Sequence, residues 1–372
     1  MSDQFTETET TGYFQRILNS FVGVLFGILL FLAAFVLLYW NEGRINLAQL
    51  VKTSTEITAT GAPSAEIGEF VSVTGTLTSS ETLGDGLYLQ PGDYVALRRT
   101  SEMYAWEEST DSQSQTNAGG SETTSTTYTY TKDWSESPES STSFKQPNGH
   151  TNPTKSVESD TFKVSQAKVG QYSLELQRLN LPTPSTVTLN NTMLLPNSGA
   201  TLAGSYLFLG KGSLTSPEVG DLRIQYRSLN QGIQATVVGA LAQGNTLTPY
   251  AGPRNISVYR LFSGNRTEAI DALSFENSAL TWGFRTAGFF MMWIGMSMVV
   301  APLNILLDVL PFLGNLSRQA TGFVTFGLSL VLSGLTIITS IILHNPIMLF
   351  LAIGLSGFFL FKFTRKKFAP AD

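Results

Sequence analysis

Apolar residues crowd the two ends of this chain, and polar residues fill its middle. Residues 17–41, 286–307 and 319–343 carry no charge, and each stretch reaches the roughly 20 residues that an α-helix needs to cross the hydrocarbon core of a membrane. A shorter apolar stretch, 346–361, follows the break His344-Asn345-Pro346. The pattern predicts four transmembrane helices, with a large polar domain between the first and the second.

The first apolar stretch ends abruptly, in Leu37-Leu38-Tyr39-Trp40 followed by Asn41-Glu42-Gly43-Arg44. A cleaved signal peptide is one explanation, but its apolar region usually has about 7–15 residues and ends in small residues. The greater length and the two terminal aromatic residues favour a membrane helix with an aromatic belt at its interface. We expect Asn41, Glu42, Gly43 and Arg44 to form a junction with the polar domain, where Glu42 and Arg44 pair with the base of that domain or with a neighbouring subunit.

Positive charges near the helix ends predict the orientation in the membrane. The densest basic cluster is Lys362-Phe363-Thr364-Arg365-Lys366-Lys367, so we place the C-terminal tail in the cytoplasm. Counting back through four spans gives the predicted order of segments: a cytoplasmic N-terminus 1–16, a transmembrane helix 17–41, an extracytoplasmic domain 42–281, a transmembrane helix 282–307, a cytoplasmic loop 308–318, transmembrane helices 319–343 and 346–361, and a basic cytoplasmic tail 362–372.

Within 42–281 the pattern changes to alternation with a period of two residues, rich in β-branched side chains, which predicts strands. The predicted strands are Phe70–Leu77, Tyr88–Leu89, Tyr94–Leu97, Tyr172–Leu176, Ser185–Leu189, Leu222–Tyr226 and Gln234–Val238. The segment 109–143 is rich in Ser and Thr but contains Tyr128, Tyr130 and Trp134, so we expect a flexible tip at about 109–121 and then an ordered hairpin. The predicted fold class is therefore four transmembrane α-helices plus a β-rich extracytoplasmic domain.

Two short segments of this domain resemble each other. Gly75–Glu81 and Gly212–Glu218 have similar sequences, and each is followed by a Gly-Asp pair, at Gly84-Asp85 and Gly220-Asp221. Two related β-lobes explain the similarity, and so does coincidence in a chain rich in Ser and Thr. The sequence leaves both explanations open.

Composition removes several classes of protein. The formal net charge is −5, which argues against a general nucleic-acid binder. The chain has no cysteine, so disulfides, thiolate zinc sites, iron–sulfur clusters and cysteine nucleophiles are excluded. Its two histidines, His150 and His344, lie far apart, and His150 sits in the turn-like segment Asn148–Pro153. We predict no metal site and no cofactor.

The motifs of nucleotide-binding, hydrolase and metalloprotease sites are absent. In one interpretation Asp85 and Asp221, with Glu81 and Glu218, form a carboxylate pair for acid–base chemistry or a calcium site. In the other, which we favour, the aspartates are turn residues whose carboxylates accept hydrogen bonds from backbone N–H groups. We therefore predict no catalytic residues and no enzyme activity.

One block mixes charged and aromatic residues and is a candidate partner surface or an edge strand protected by charge. Its residues are Arg98, Arg99, Glu102, Tyr104 and Trp106.

Two further candidates lie in the apolar segments. Gly23 and Gly27 form a G-x-x-x-G pair, which permits close helix contact and slightly favours oligomerisation. Asp308 is an acid beside a membrane segment, where acids are costly and often functional. We favour a structural role for Asp308, either capping a short helix or pairing with Arg318.

In their order along the chain, several of these motifs resemble the transmembrane protein 43 (LUMA) family. The similarity begins with Asn41-Glu42-Gly43-Arg44 directly after the first span. It continues through Leu97-Arg98-Arg99, Glu102-Met103-Tyr104-Ala105-Trp106-Glu107, Tyr130–Trp134, Gly149–Pro153, Val219–Arg223 and Leu280-Thr281-Trp282, and ends around Asp308 and Pro311. The departures are Ala105, where the family usually has Gln, and the long Ser- and Thr-rich insertion.

The resemblance implies a four-span protein whose large domain lies on the lumenal or periplasmic side. Animal members look like scaffolds of the endoplasmic reticulum and inner nuclear membrane, associated with emerin and lamins, and prokaryotic relatives exist. The absence of cysteine and the short cytoplasmic segments favour a bacterial inner-membrane member. In a eukaryote the location would be the endoplasmic reticulum or the inner nuclear membrane.

The expected function is a non-enzymatic scaffold in the lipid bilayer that forms a homo-oligomer and binds membrane or extracytoplasmic proteins through its domain. The alternative is a pore or ion-channel component built from the C-terminal helices, with Asp308 near the path. An enzyme acting on lipid or peptidoglycan through Asp85 or Asp221 is a third hypothesis, which we favour least.

Overall fold

The structure, a computed structural model, describes residues 3–61, 64–196 and 198–355. These residues divide into two compact units, each built from separate pieces of the chain. The β-rich unit contains residues 3–6, 47–111 and 127–274, and the helical unit contains residues 7–46, 112–126 and 275–355. The polar domain predicted for 42–281 therefore does not form one continuous unit, because part of its Ser- and Thr-rich segment belongs to the helical unit.

Three helices in the described part of the chain are long and apolar enough to cross a membrane. They are α1 (Tyr13–Glu42), α3 (Arg266–Leu307) and α4 (Pro311–His344), and a short helix, α2 (Leu47–Lys52), follows α1. The first three predicted spans fall within α1, α3 and α4. These helices expose many large apolar side chains, which indicates that they face lipid rather than water.

The fourth predicted span, 346–361, is only partly described. It is helical over Pro346–Leu355, which is too short by itself to cross a bilayer. The rest of that span and the basic tail 362–372 lie outside the described residues. The structure thus shows three helices of membrane-spanning length where four were predicted.

Helix α3 begins at Arg266, well before the predicted start at residue 282. A capping box explains this start, because the Asn265 side chain accepts a hydrogen bond from the Glu268 N–H at 3.1 Å and the Glu268 carboxylate accepts one from the Asn265 N–H at 2.7 Å. Hydrophobicity alone does not indicate this polar first turn, so the predicted start came too late.

Apart from three short 3-10 helices, at Ser141–Ser143, Asn191–Met193 and Pro253–Asn255, the remaining regular elements in the described part of the chain are strands of between two and 23 residues. In chain order they are β1 (Asp3–Thr11), β2 (Thr55–Ile57), β3 (Phe70–Thr78), β4 (Tyr94–Thr116), β5 (Glu122–Ser135), β6 (Asp160–Lys163), β7 (Ala167–Val169), β8 (Tyr172–Leu174), β9 (Ser185–Thr186), β10 (Thr201–Ala203), β11 (Tyr206–Leu209), β12 (Leu222–Asn230), β13 (Gln234–Ala242), β14 (Thr246–Thr248), β15 (Tyr250–Ala251), β16 (Ser257–Val258) and β17 (Arg260–Ser263). Every predicted strand overlaps one of these except Tyr88–Leu89, which forms only an isolated bridge from Leu89 to Leu194, and predicted Ser185–Leu189 is strand only at Ser185–Thr186.

One group of strands closes on itself into a small barrel in the β-rich unit. Going round, β3 pairs with β7, β7 with β8, β8 with β14, β14 with β13, and β13 again with β3. Strands β2 and β17 extend the same sheet by pairing with other residues of β3 and β13. Alternate apolar residues of these strands, among them Val71, Val73 and Val237, fill a common core.

The second sheet has the strand order β1-β5-β4-β12-β11-β10, and β6 and β9 pair with β4 and β12. Its core is a separate cluster that includes Leu97, Leu207 and Ile224. The two similar segments of the sequence do not occupy equivalent places, since Gly75 and Thr76 lie in β3 of the barrel, whereas Gly212–Glu218 connects β11 to β12. The structure therefore does not confirm two related lobes.

A three-stranded ribbon extends from this second sheet. It consists of β1, residues 107–116 of β4 and residues 122–131 of β5, and residues 117–121 form its tip. The loop expected for 109–121 is thus strand up to Thr116. Cross-strand hydroxyl pairs explain the difference, for example Ser112 with Thr126 at 3.0 Å and Thr6 with Thr127 at 3.1 Å.

Candidate functional site

Two arginines share one buried aspartate in the helical unit. Asp308, between α3 and α4, is 0% exposed, and its Oδ2 atom accepts hydrogen bonds from Arg16 Nη2 at 2.7 Å and Arg318 Nη1 at 2.8 Å. Arg16, in the first turns of α1, also pairs with Glu122 at 2.9 Å. The charges of the two arginines and the two carboxylates cancel. We call Arg16, Glu122, Asp308 and Arg318 the Arg16–Asp308 cluster. The predicted partner Arg318 is present, whereas no sequence pattern indicated Arg16 or Glu122 as partners.

The tip of the ribbon is fixed to this end of the helices. Arg318 donates to the Thr116 hydroxyl at 3.1 Å, and Arg16 donates to the Gly120 carbonyl oxygen. The Gly119 N–H donates to the Val309 carbonyl at 3.3 Å. Together these contacts order the tip on the ends of α1, α3 and α4.

These contacts bear on the predicted sidedness. Residues 1–16 were assigned to the cytoplasm and residues 42–281 to the other side of the membrane. However, Asp3 lies 3.2 Å from His150, and Arg16 lies 2.9 Å from Glu122. The two assignments exclude each other for these residues, because groups in contact cannot lie on opposite sides of a bilayer about 30 Å thick.

Asp308 also constrains the backbone packed against it. A Cβ atom added at Gly314 would lie 1.9 Å from Asp308 Oδ1, so only glycine fits at this approach. Oδ1 itself is buried without a hydrogen-bond partner in the described part of the chain. Beside the cluster, a cleft of about 350 Å³ is lined by Thr11, Arg16, Glu122 and residues of α1 and α3.

A second ion pair joins α1 to α3 at the other end of α1. Arg285 binds the Glu42 carboxylate with both prongs of its guanidinium group, at 2.8 and 2.9 Å. Such bidentate pairing fixes geometry as well as charge. The predicted junction residue Glu42 is therefore paired within the helical unit.

The other junction residues also contact α3. The Arg44 guanidinium lies 5.3 Å from the centre of the Phe284 ring and 3.4 Å from the Thr281 hydroxyl. Asn41 donates to the Thr281 carbonyl oxygen at 3.2 Å. Gly43 lies so close to His344 that a Cβ atom there would be 2.4 Å from Nε2. All four predicted residues thus lie where α1 meets α3 and α4.

The glycine pair of α1 packs against α3 of the same chain. A Cβ atom at Gly27 would lie 2.7 Å from the Gly295 carbonyl oxygen and 2.8 Å from Met298 Cβ. At Gly23 the nearest atom is Met298 Cε, at 3.9 Å. Close helix contact is the role expected of the pair, and the contact is within the chain.

The candidate partner surface divides by strand alternation. Arg99 is 5% exposed and binds the Asp85 carboxylate at 3.0 Å, so it is not part of a surface. The even-numbered residues of β4 lie on the opposite face. There Arg98 pairs with Glu136 at 3.6 Å, and Glu102 pairs with Arg223 at 2.6 Å.

Aromatic rings complete that face. Arg223 lies 4.8 Å from the centre of the Trp134 ring and 5.0 Å from that of Tyr206, and Tyr104 contacts Trp134 at 5.4 Å. We call Glu102, Tyr104, Trp134, Tyr206 and Arg223 the aromatic face. Glu102 and Tyr104 were predicted surface residues, whereas the other three were not, because they come from β5, β11 and β12.

Asp85 is held by donors on every side in the β-rich unit. Its Oδ1 accepts from the N–H groups of Leu87, Tyr88 and Leu89, and its Oδ2 from Arg99 and Tyr226. Burial alone would raise the pKa of this carboxyl, but the hydrogen bonds from Tyr226, the backbone and Arg99 outweigh it and hold the pKa below its ordinary value of 3.8. Burial, reinforced by the adjacent carboxylate, raises the pKa of Tyr226.

Asp221 also accepts backbone hydrogen bonds, in the loop between β11 and β12. Its carboxylate accepts from the N–H groups of Lys211, Gly212 and Glu218 at 2.8–3.1 Å. The favoured interpretation of Asp85 and Asp221 as loop-ordering residues is therefore confirmed. Glu81 likewise accepts the Ser165 N–H at 2.8 Å, and this serine lowers its pKa.

His150 is buried rather than exposed in a turn. Its ring stacks on Tyr130 at 4.0 Å between ring centres and meets Trp106 edge-on at 4.7 Å. One ring nitrogen lies 2.8 Å from the Gln146 carbonyl oxygen, and the other lies 3.2 Å from the Asp3 carboxylate. Trp106, a predicted surface residue, is thus partly covered, and Lys132 lies over its other side.

Long apolar helices joined to a β-rich domain with a small barrel define an integral membrane protein. The sequence model of the family described as Transmembrane protein 43 matches residues 103–346 of the chain. The chain belongs to this family, which confirms the resemblance seen in its motifs.

The chain is similar to curated relatives over most of its length. Transmembrane protein 43 of Rattus norvegicus is 27% identical over 92% of this chain and 89% of its own. The homologue of Drosophila melanogaster is 28% identical over 87% and 89%, and the protein of Homo sapiens is 27% identical over 93% and 90%. No solved structure matches the chain significantly.

Proposed function

We propose that the protein is a non-enzymatic membrane scaffold that self-associates and holds partner proteins through its β-rich unit. The observation that carries this proposal is that the buried acidic side chains form ion pairs and hydrogen bonds that hold the fold together. Asp85, Asp308 and Glu42 each bind an arginine, and Asp85 also accepts hydrogen bonds from backbone amides, which suits fixed architecture rather than proton transfer.

The aromatic face is the part of the β-rich unit best suited to a protein partner. It combines Trp134, Tyr104, Tyr206 and Arg223, the residue types that dominate binding energy at protein interfaces. All four are partly exposed. The expected partner is a membrane or extracytoplasmic protein.

The mass of the intact assembly in native lipid nanodiscs tests self-association. A defined oligomer supports the proposal, and a monomer contradicts it. Crosslinking through the β-rich unit then tests partner binding, with W134A/Y206A as the variant and K211A, an exposed position outside the aromatic face, as the matched control. We expect the crosslinked partner to be lost with the first variant only, and its retention in both contradicts the role of this face.

A pore or ion-channel component is the second candidate. Helix α4 carries a buried stripe of hydroxyl groups at Thr325, Ser329, Ser333 and Ser340. Ser340 donates to the Tyr39 carbonyl oxygen at 3.0 Å, and Thr325 lies 3.2 Å from Ser297, so the stripe also bonds α4 to its neighbours. Conductance of the purified protein in planar bilayers, changed by S329L, would favour the pore over the scaffold.

The proposal also covers the number of membrane spans and the cellular membrane in which the protein lies. We propose that 346–361 completes a fourth span and that the basic tail is cytoplasmic. An inner-membrane location in a bacterium rests on the absence of cysteine, whereas the relatives named above are animal proteins.

A further inference from the structure

The part of the ribbon that belongs to the helical unit carries only polar side chains. It consists of residues 7–11, 112–116 and 122–126, and every one of them is Glu, Thr, Ser or Gln. Hydroxyl groups pair across its strands, Thr10 with Thr123 at 3.3 Å and Ser114 with Thr124 at 2.8 Å. Neither face of such a ribbon is suited to lipid chains.

This ribbon reaches the far end of α1. The chain leaves α1 after Glu42, whereas Gly120 and Glu122 of the ribbon contact Arg16, which lies about 40 Å from Glu42 along a helix that rises 1.5 Å per residue. Helix α1 exposes apolar side chains over this length, from Phe14 to Val36. A chain that follows α1 through the hydrocarbon core brings its polar strands to membrane depth.

The ribbon has two open edges in the described part of the chain. Strand β1 is the last strand of its sheet on one side, and β4 pairs with β12 only as far as Met103. Inside a bilayer every backbone N–H and C=O group needs a partner, so an open sheet edge does not persist there. Closing the strands into a barrel removes the edges.

We propose that a second copy of this chain closes each edge, with β1 of one copy pairing with residues 112–116 of β4 in the next. The two strands run in the same direction, because both pair antiparallel with β5. Repetition of this head-to-tail contact closes a ring in which each copy supplies three strands. One face of the ribbon then lines water enclosed by the ring, and the other packs against the helices, as Glu122 does against Arg16. The inference rests on the self-association proposed above and names its interface.

The side chains on the two edges are chemically matched. On one side of β5, Thr10 lies opposite Thr123. On the other side, Ser114 lies opposite Thr124, so the next residue, Gln115, also lies opposite Thr123. In the ring, the Gln115 amide of one copy therefore comes beside the Thr10 hydroxyl of the next. The contact extends the hydroxyl pairing already present within each chain.

Cysteines at these two positions test the interface against a background without native cysteine. Within one copy β5 separates Thr10 from Gln115, which places their Cα atoms about 10 Å apart at the usual strand spacing. That exceeds the roughly 7 Å limit for a disulfide, so T10C/Q115C cannot crosslink within a chain. We expect oxidation in membranes to give a ladder of covalent oligomers on a non-reducing gel.

The matched control is T10C/T123C, whose cysteines are neighbours in one chain and should give an oxidised monomer. The variants T8C/Q115C and T10C/Q113C test the case in which β1 of one copy is shifted by two residues along β4 of the next. If nanodiscs hold oligomers but none of the three edge pairs gives a ladder, this interface is overturned and self-association stands. Monomers in nanodiscs overturn both.

A second test asks whether the tip reaches the far face of the membrane. Ala118 is exposed at the tip, and Ser278 is exposed on α3 near Arg285. We expect a membrane-impermeant maleimide added to sealed vesicles to label A118C and S278C from opposite faces. Q319C, near Arg318, should label from the same face as A118C. Labelling of A118C and S278C from one face overturns the inference.

Discussion

At the scale of single residues, the buried acids of this protein differ in what neutralises them. Asp308 and Glu42 bind arginines, whereas Asp221 is held by backbone amides and Asp85 by both kinds of donor. Arginine pairs join helices that are distant in sequence, and amide donors order a local loop. The two kinds of site therefore respond differently to mutation and to pH.

The substitution D308N should destabilise the helical unit. It leaves Arg16, which is 7% exposed, beside a neutral partner, and removing one member of a buried ion pair typically costs about 3–5 kcal/mol. Thermal unfolding in nanodiscs measures the effect. E122Q is the control, since the Glu122 side chain is 30% exposed and an exposed ion pair contributes less, and an equal loss in both variants would contradict the central position of Asp308.

The substitution D85N should destabilise the β-rich unit and flatten its acid sensitivity. The folded pKa of Asp85 lies below 3.8, so its contribution is fully present well above pH 3.8 and is lost as the pH falls through the folded pKa. Chemical denaturation between pH 7 and pH 2 should show a loss of about 2–4 kcal/mol at pH 7 that shrinks on acidification. A constant difference at all pH values would exclude this linkage.

At the scale of elements, helices α1 and α3 approach closely because glycine faces glycine, Gly27 against Gly295. The polar ends of both helices are then joined by ion pairs. This arrangement of small residues within the membrane and charges at the ends is what helix packing in lipid favours.

G27L should separate α1 from α3. Its side chain would need space already filled by the Gly295 backbone and Met298, and overpacking typically costs about 1–3 kcal/mol. G322L is the matched control, because a Cβ atom at this glycine of α4 meets nothing within 4 Å. Detergent-solubilised yield and melting temperature should fall for G27L only, and equal behaviour of the two would argue against this packing.

At the scale of the whole molecule, neither unit is continuous in sequence. The helical unit combines an N-terminal helix, the tip of the ribbon and the C-terminal helices. The Glu42–Arg285 pair lies where the first and last of these segments meet, 243 positions apart. Its integrity should therefore control assembly rather than membrane insertion.

A charge swap tests this. E42R and R285E should each lower the melting temperature of the protein in nanodiscs without reducing its amount in the membrane, because each leaves two like charges in contact. E42R/R285E should recover most of the loss, since opposite charges face each other again. Failure of the double variant to recover, with both single variants impaired, would show that the pair has further partners.

Local sequence patterns predicted much of this protein. Uncharged apolar stretches indicated α1, α3 and α4, and alternation indicated β3, β12 and β13, because both signals come from neighbouring residues. The roles of Asp85 and Asp221 followed from turn chemistry, which is equally local. The aromatic and charged residues of β4 were predicted to form one surface. The alternation of side chains along the strand instead buries Arg99 and leaves Tyr104 on the surface, a distinction that the prediction did not make.

Only the tertiary structure decided which distant residues meet. Nothing near Arg16 in the sequence indicates Asp308, which lies 292 positions away, and nothing in the segment 3–11 indicates that it becomes an edge strand beside β5. The closure of the barrel through β3 and β13 is of the same kind. Sequence periodicity reports which face of an element is apolar, whereas ion pairs and strand partners depend on how the chain returns to itself, so these contacts become visible only in the folded molecule.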